Sequence, residues 1–589
     1  MNYTLDIKKE HGRKTSYVDA AKKLWPLLCE EKGNLIMASV AIFLNSALNL
    51  VAPMVVAHVI DTYIPTKDYH GVFVFSGILL TMYVAALFTS YFQTRWMGGV
   101  GQRVLFNLRS AIFNKLQELP VAFFNQNKAG DLISRINNDT DKLNQFFSQS
   151  LMQFIGSIFI MIGAGVFLLS LNLKLGAAAL APALALFIFT RLISGWVKRK
   201  NTMNLSSVGG MSSEIQESLN NFKVIVAFNR RDYFRQRFEE ANNENYKTSV
   251  KAGLANNLFT PVFGLSSNLA QLVILAFGIY LIMQGEFTLG LLISFISYAN
   301  NFYNPLRQLA ALWANFQVAM AGWDRIAAIL DMKSDLKTVD IKEKGLANAK
   351  VPILEFKGVK FGYPNGKEVL HDVNFKLEKG KTYALVGPTG GGKTTTASLM
   401  ARLYDPTEGV VMLDGKDIRS YEPNARTDKI GFILQEPFLF TGSVRENILY
   451  GNVKYQNYSN EELEQVIKEA NLETLLGRFE NGLDTKVMSS GDAVSLGQRQ
   501  LIAFIRAVLR NPDLLILDEA TANVDTVTEQ LLEDILKKLS KETTRVIIAH
   551  RLNTIENADE IFFVNSGEVI RAGSMEHAVE MLLHGKRKS

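Results

Sequence analysis

Tyr383-Ala384-Leu385-Val386 runs directly into Gly387-Pro388-Thr389-Gly390-Gly391-Gly392-Lys393-Thr394, with Thr395 to Leu403 following in residues compatible with a helix. A short apolar run bounded by turn residues reads as a buried strand. The loop after it fits G-x-x-x-x-G-K-[ST] in full, a pattern whose spacing has a chemical reason. Glycines let backbone N–H groups curl around phosphates, Lys393 reaches the β- and γ-phosphates, and the Thr394 hydroxyl ligates Mg²⁺. Further along, a second buried run, Leu514-Leu515-Ile516-Leu517, ends in Asp518-Glu519. Carboxylates at the end of a strand beside a phosphate loop are expected to divide the work. Asp518 serves the metal, through water, and Glu519 polarises an attacking water.

The stretch before this strand–loop–helix unit has a different character. Of 589 residues 48% are hydrophobic and 20% charged, and the average hides two unlike halves. Long uncharged stretches occupy 34–323, whereas 331–589 has the mixed charge of a soluble α/β domain. Six segments, near 34–60, 71–95, 146–170, 174–197, 252–284 and 287–320, have the roughly 20 apolar residues that a bilayer crossing needs. The short connections at 61–70, 171–174 and 285–287 carry only Lys67 and Lys174 as cations. The long ones carry Arg103, Arg109, Lys115, Lys128, Arg135 and Lys142, and then Lys198 through Arg237. The positive-inside rule puts both termini in the cytosol. Net charge is +6, spread thinly, which suits a membrane surface and argues against a nucleic-acid partner. Cys29 is the only cysteine, excluding an internal disulfide or a cysteine-based metal cluster.

The two basic connections are too long for turns and read as helical extensions with a short crossing piece at each tip. Phe123-Phe124-Asn125 marks the first tip and Glu214 to Phe228 surrounds the second. Exposed phenylalanines at such a tip call for a docking groove. Tyr17 to Glu31 has the amphipathic spacing of a helix lying in the membrane interface. The expected organisation is therefore a cytosolic segment over 1–33, a six-helix membrane domain over 34–330, a linker over 331–352 and a P-loop α/β domain over 353–589.

The motifs that follow the phosphate loop complete a resemblance to the ATP-binding cassette (ABC) family. Tyr363, in Phe361-Gly362-Tyr363-Pro364, is similar to the aromatic that stacks on adenine there. Gln435 resembles the glutamine that senses Mg²⁺ and the membrane domain, and Val494-Ser495-Leu496-Gly497-Gln498 stands where the family has L-S-G-G-Q. Asp525 matches the loop after the catalytic glutamate and His550 the switch histidine. The resemblance implies that ATP and Mg²⁺ are bound. Residues Gly387, Pro388, Thr389, Gly390, Gly391, Gly392, Lys393, Thr394 and Thr395 would hold the phosphates, with Thr394, Gln435 and Asp518 at the metal. Glu519, His550 and Gln435 would serve hydrolysis, and Ser495, Gly497 and Gln498 would cap the nucleotide of a second chain. With the membrane half, the chain resembles the exporter branch, a domain-swapped dimer whose two tips act as coupling helices. Such an exporter moves drugs, lipids or peptides among membrane lipids, and a bacterial plasma membrane is the expected setting.

The departures are informative. Leu496 replaces a glycine, Val494 a leucine, and Ser489-Ser490 the acidic–basic pair upstream. An altered signature beside an intact Glu519 resembles one half of a heterodimeric exporter; a tolerant homodimer stays open. An importer or flippase of the same architecture shares helix count and orientation, and an ATP-gated channel would have less need of Glu519.

Overall fold

The computed structural model describes residues 3–5, 26, 30–336, 338–339, 351–364, 366–488, 494–518, 526–548, 558–573 and 575–584. The amphipathic stretch 17–31 falls almost entirely outside them, as do Glu519, Asp525, His550 and Ser489-Ser490. The chain forms two compact units. One is Asp6–Gln117 with Gly130–Asp331; the other gathers Met1–Leu5, Glu118–Ala129 and Met332–Ser589.

The first unit is helical. Its long helices are α1 Lys32–His58, α2 Tyr69–Glu118, α3 Leu151–Leu171, α4 Leu173–Asn220, α5 Arg231–Asn257, α6 Phe259–Met283 and α7 Leu289–Leu330. Among the described residues, five helical stretches are long and apolar enough to cross a membrane: Lys32–Tyr63, Tyr69–Glu118, Ala129–Leu171, Leu173–Asn220 and Arg231–Met283. The sixth expected crossing is α7, a 42-residue helix outside that set, whose Asn300, Asn301, Asn304 and Arg307 dilute its apolar run. The helices outrun the expected segments because they continue past the apolar runs into the polar connections, as anticipated for helical extensions. On α2, Phe73, Leu80 and Leu87 lie exposed at seven-residue spacing, an apolar stripe suited to lipid.

Prolines inside these helices interrupt the backbone ladder, and in a membrane the freed groups need partners. Beside Pro53 of α1, Tyr298 Oη donates to Leu50 O (2.7 Å) and Ser294 Oγ to Pro53 O (2.7 Å), both from α7. Near Pro182 of α4, Tyr303 Oη donates to Ala179 O (2.9 Å). The amides that enrich the crossings also pair between helices: Gln271 Nε2 donates to Asn300 Oδ1 (2.8 Å), and Asn201 and Asn256 exchange bonds of 2.9 and 3.0 Å. At the end of α7, Asp139 is 1% exposed and is held by Lys142 Nζ (3.1 Å) and the Arg325 guanidinium. Arg135, equally buried, donates to Asp131 Oδ2 (2.9 Å) and Arg325 O (2.9 Å).

The second unit contains a four-stranded sheet and a six-stranded sheet. The strands are β1 Leu354–Gly362, β2 Glu368–Leu377, β3 Thr382–Val386, β4 Glu408–Leu413, β5 Lys416–Asp417 and β6 Ile430–Ile433. They continue with β7 Gly442–Ser443, β8 Lys486–Val487, β9 Leu514–Asp518, β10 Thr544–Ile548, β11 Glu560–Asn565 and β12 Glu568–Arg571. The larger sheet has the order β12-β11-β3-β10-β9-β6, parallel except at β12. Its central strands carry near-continuous apolar runs, at 383–386, 546–548 and 514–517, because both faces are covered. Leu514 and Ile516 of β9 enter one core while Leu515 and Leu517 enter the other.

Removing the buried Asp139 carboxylate takes a charged partner from Lys142 and Arg325, both about one-third exposed, a loss of about 1.5–3 kcal/mol for hydrogen bonds to a charged group. Asp139→Ala should lower the thermal unfolding midpoint of the detergent-purified chain by several degrees, and Asp139→Asn by less. An unchanged midpoint would show the pair to be dispensable.

Candidate functional site

Parallel pairing puts the C-terminal ends of β3, β10, β9 and β6 along one edge, where an open α/β sheet binds its ligands. The register is explicit: Leu385 lies beside Ile548, Ile548 beside Asp518, and Leu517 beside Ile433. The phosphate loop leaves β3 on this edge and feeds helix α8, Lys393–Met400. Gly392 caps that helix at φ +113°, a left-handed backbone that a side chain resists, and a Cβ there would lie 2.9 Å from Leu370 Cδ2. Thr396 locks the first turn, its N and Oγ1 both donating to Gly392 O at 2.9 Å.

Lys393 is 5% exposed and its Nζ donates to Gly387 O (2.9 Å) and Pro388 O (3.1 Å), so the amine lies across the loop it belongs to. Thr394 Oγ1 donates to Asp518 Oδ1 (3.2 Å), bridging 124 residues of sequence, and Asp518 is 2% exposed. Gln435, two residues beyond β6, joins Tyr363, Thr389, Lys393, Thr394 and Thr395 around a cavity of about 370 Å³. These oxygens are hard donors of the kind Mg²⁺ takes, and a buried amine beside backbone amides suits phosphate. Gly390 and Gly392 also line the cavity, while Gly387, Pro388 and Gly391 shape the loop behind it.

Tyr363 is half-buried, its ring edge-on to Phe361 (5.0 Å) and to Tyr404 (5.3 Å), with Oη 3.1 Å from Thr395 Oγ1. Tyr404 was not singled out by the sequence, since an aromatic after an α-helix is ordinary core. Its hydroxyl accepts from Asn125 Nδ2 (2.8 Å), and burial raises it, so it stays protonated. The first tip, Val121–Gln126, thus belongs to the same compact unit as the phosphate loop. Phe123 is fully buried there, as a docking residue should be; Phe124 stays 44% exposed, so only one ring of the pair fills the groove.

Ser495, Gly497 and Gln498 do not line this cavity. They open helix α9 at Leu496–Val508, with Ser495 as its cap: Ser495 Oγ accepts from Gln498 N (3.2 Å) and Gln498 Oε1 from Ser495 N (2.9 Å). Leu496 has ordinary helical backbone and is absent from the positive-φ residues, so this position does not demand glycine for the fold.

A further support escaped the sequence reading. The Ser566-Gly567 turn between β11 and β12 abuts the loop, Gly567 N donating to Gly391 O (3.1 Å) and Gly567 O accepting from His371 N (2.8 Å). Asn565-Ser566-Gly567 between two apolar runs is a hairpin signal that could have revealed it.

Two family descriptions match the chain in tandem: the ABC transporter transmembrane region over residues 35–306 and the ABC transporter domain over 370–522. An uncharacterised ABC transporter ATP-binding protein of Bacillus subtilis is 33% identical over 578 residues, 97% of this chain and 94% of the relative. The ATP-dependent lipid A-core flippase of Pectobacterium atrosepticum is 31% identical over 558 residues, 94% of each. A multidrug resistance ABC transporter ATP-binding and permease protein of Lactococcus lactis subsp. lactis is 31% identical over 510 residues, covering 85% of this chain and 84% of that one.

Gly567→Ala should disturb the loop from behind, since a Cβ would lie 2.3 Å from Val369 O at φ +79°. A strain of about 1–3 kcal/mol is expected, read as weaker ATP binding and a lower cassette unfolding midpoint. Wild-type values for both would remove the turn from the site.

Proposed function

The chain belongs to the ABC transporter family, a multi-pass membrane protein whose ATP-hydrolysing domain drives transport, and on that footing we propose that it exports a hydrophobic or amphipathic molecule as one half of a dimer. The observation that carries this reading is the Thr394–Asp518 contact, which supports one Mg²⁺–ATP site at the sheet edge. The lipid and drug relatives support the substrate class, and the basic long connections support a cytosolic site for both termini, in a bacterial plasma membrane.

In this mechanism Lys393 exchanges its loop carbonyls for phosphate oxygens, and Tyr363 offers its ring to adenine. Thr394, Asp518 and Gln435 would hold Mg²⁺, which would supply charge neutralisation of the phosphates. Glu519 follows Asp518 directly and polarises the attacking water, while His550 and Asp525 complete the hydrolytic set. Ser495, Gly497 and Gln498 present their helix start to the ATP held by a partner chain, an end that favours anions. ATP then favours the closed pair of cassettes, and only such a differential affinity can turn the membrane domain outward. The contact of Asn125 with Tyr404, and of Tyr404 with Tyr363, links the first tip to the nucleotide.

Dimerisation is supported by unsatisfied surfaces within each unit. The second tip, Phe222–Ala227, leaves Phe222 57%, Val224 55% and neighbouring Phe228 74% exposed. The cassette carries an open groove of about 240 Å³ lined by Pro437, Phe438, Phe440, Tyr450 and Arg506. We assign this groove to the corresponding tip of the partner half-transporter. The unusual signature favours a heterodimer, with an intact partner signature over this chain's phosphate loop and Leu496 capping a slower site.

Glu519→Gln should cut ATP turnover by about 10²–10⁴-fold with ATP binding kept, as expected when a general base is lost; Lys393→Ala should instead weaken binding. Inside-out vesicles should take up a fluorescent phospholipid or a Hoechst dye in an ATP-dependent manner that Glu519→Gln abolishes, and retention of uptake by this variant would contradict the mechanism. The chain purified alone should turn over slowly, and Leu496→Gly should speed it by roughly 5–150-fold, the equivalent of 1–3 kcal/mol of restored hydrogen bonding. Brisk turnover by the unaltered chain, with no gain from glycine, would favour a homodimer.

A further inference from the structure

Tyr3 is 2% exposed, an unusual burial for a residue outside any helix or strand. Five hydrogen bonds fix it and its neighbours. Tyr3 N and Thr4 Oγ1 donate to Gln126 Oε1 (3.0 and 3.1 Å), and Leu5 N donates to Asn127 Oδ1 (2.9 Å). Asn127 Nδ2 donates back to Tyr3 O (2.9 Å), so its amide pairs with the backbone as a neighbouring strand would. The phenol reaches the other way, Tyr3 Oη accepting from Asp335 N (3.0 Å). Burial holds the phenol well above its ordinary pKa, so it remains a neutral hydroxyl.

The two segments joined here have a special place in the chain. Gln126 and Asn127 belong to the first intracellular tip, whose Asn125 bonds Tyr404 beside the nucleotide cavity. Asn127 Nδ2 also bonds Phe123 O (2.8 Å), tightening the same tip. Asp335 lies in the strand of chain that leaves α7 at Leu330 for the cassette. Displacing the tip from the linker would break either the bond of the buried phenol with Asp335 or the four bonds that Tyr3 to Leu5 share with Gln126 and Asn127.

We propose that Tyr3 is a positioning residue for coupling: it clasps the first intracellular tip to the inter-domain linker, so that both follow the cassette as one body when ATP binds. The proposal rests on the reading of the chain as an ATP-driven transporter. It predicts that loosening the clasp leaves ATP binding intact and weakens the response of the membrane domain. All five tryptophans, at 25, 96, 196, 313 and 323, precede the cassette, so their fluorescence reports that response without a transported substrate.

The experiment uses the full-length chain, with any partner it needs, in lipid nanodiscs, titrated with Mg²⁺–ATP. Binding is followed with a fluorescent ATP analogue and the response through tryptophan emission. For Tyr3→Ala, affinity should stay within about twofold of wild type while the emission change falls by at least about threefold, a population shift of modest size. Tyr3→Phe, which keeps the ring, should fall between. A full emission change in Tyr3→Ala would overturn the clasp, as would a proportional loss of binding and emission. A wild-type chain that binds ATP with no emission change would overturn the transport reading and the clasp with it.

Discussion

Parallel pairing of β3, β10 and β9 is the constraint on which the chemistry of this chain depends. It brings Thr394 and Asp518, 124 residues apart, to one hydrogen bond of 3.2 Å. The pairing is possible because each strand is apolar on both faces and sits between two cores. The glycine-rich loop, the Asp518 carboxylate and Gln435 then share one edge without any of them having to be near in sequence. The Ser566-Gly567 turn closes the loop from behind, and Tyr363 closes the cavity from the side.

The helical unit solves a different problem with the same chemistry. Backbone carbonyls near Pro53 and Pro182 accept from hydroxyls of Ser294, Tyr298 and Tyr303, all on α7. That helix falls outside the apolar set while keeping its length, its apolar run diluted by Asn300, Asn301, Asn304 and Arg307. At the end of α7 the buried charges of Asp139 and Arg135 are met in a similar way, by the Arg325 guanidinium and the Arg325 carbonyl.

Much of this was legible in the sequence, for reasons that differ by element. The phosphate loop and the Leu514–Asp518 strand are local patterns, and the crossings are long enough for composition alone to mark them. The docking of the first tip was half legible: Phe123 is buried as expected, but its neighbour Phe124 is not, because a helix turns successive side chains to different faces. Tyr404, Gly567 and Tyr3 were not legible. Each matters through a contact with a distant segment, and nothing in an isolated tyrosine or a turn glycine announces such a partner. At Leu496 the structure narrows the question: the helical backbone accepts a side chain, so the fold itself does not require glycine there.

The central claim is that Thr394 and Asp518 form one metal–nucleotide site. Its most direct test is the Mg²⁺ dependence of ATP binding and turnover by the purified full-length chain with any partner it needs, comparing wild type with Asp518→Asn. The account predicts that Mg²⁺ strengthens binding and supports turnover in the wild type. The variant should bind ATP with little response to Mg²⁺ and need at least about tenfold more for any turnover, since a carboxylate contact to a divalent ion is lost. An unaltered Mg²⁺ dependence in Asp518→Asn would contradict it.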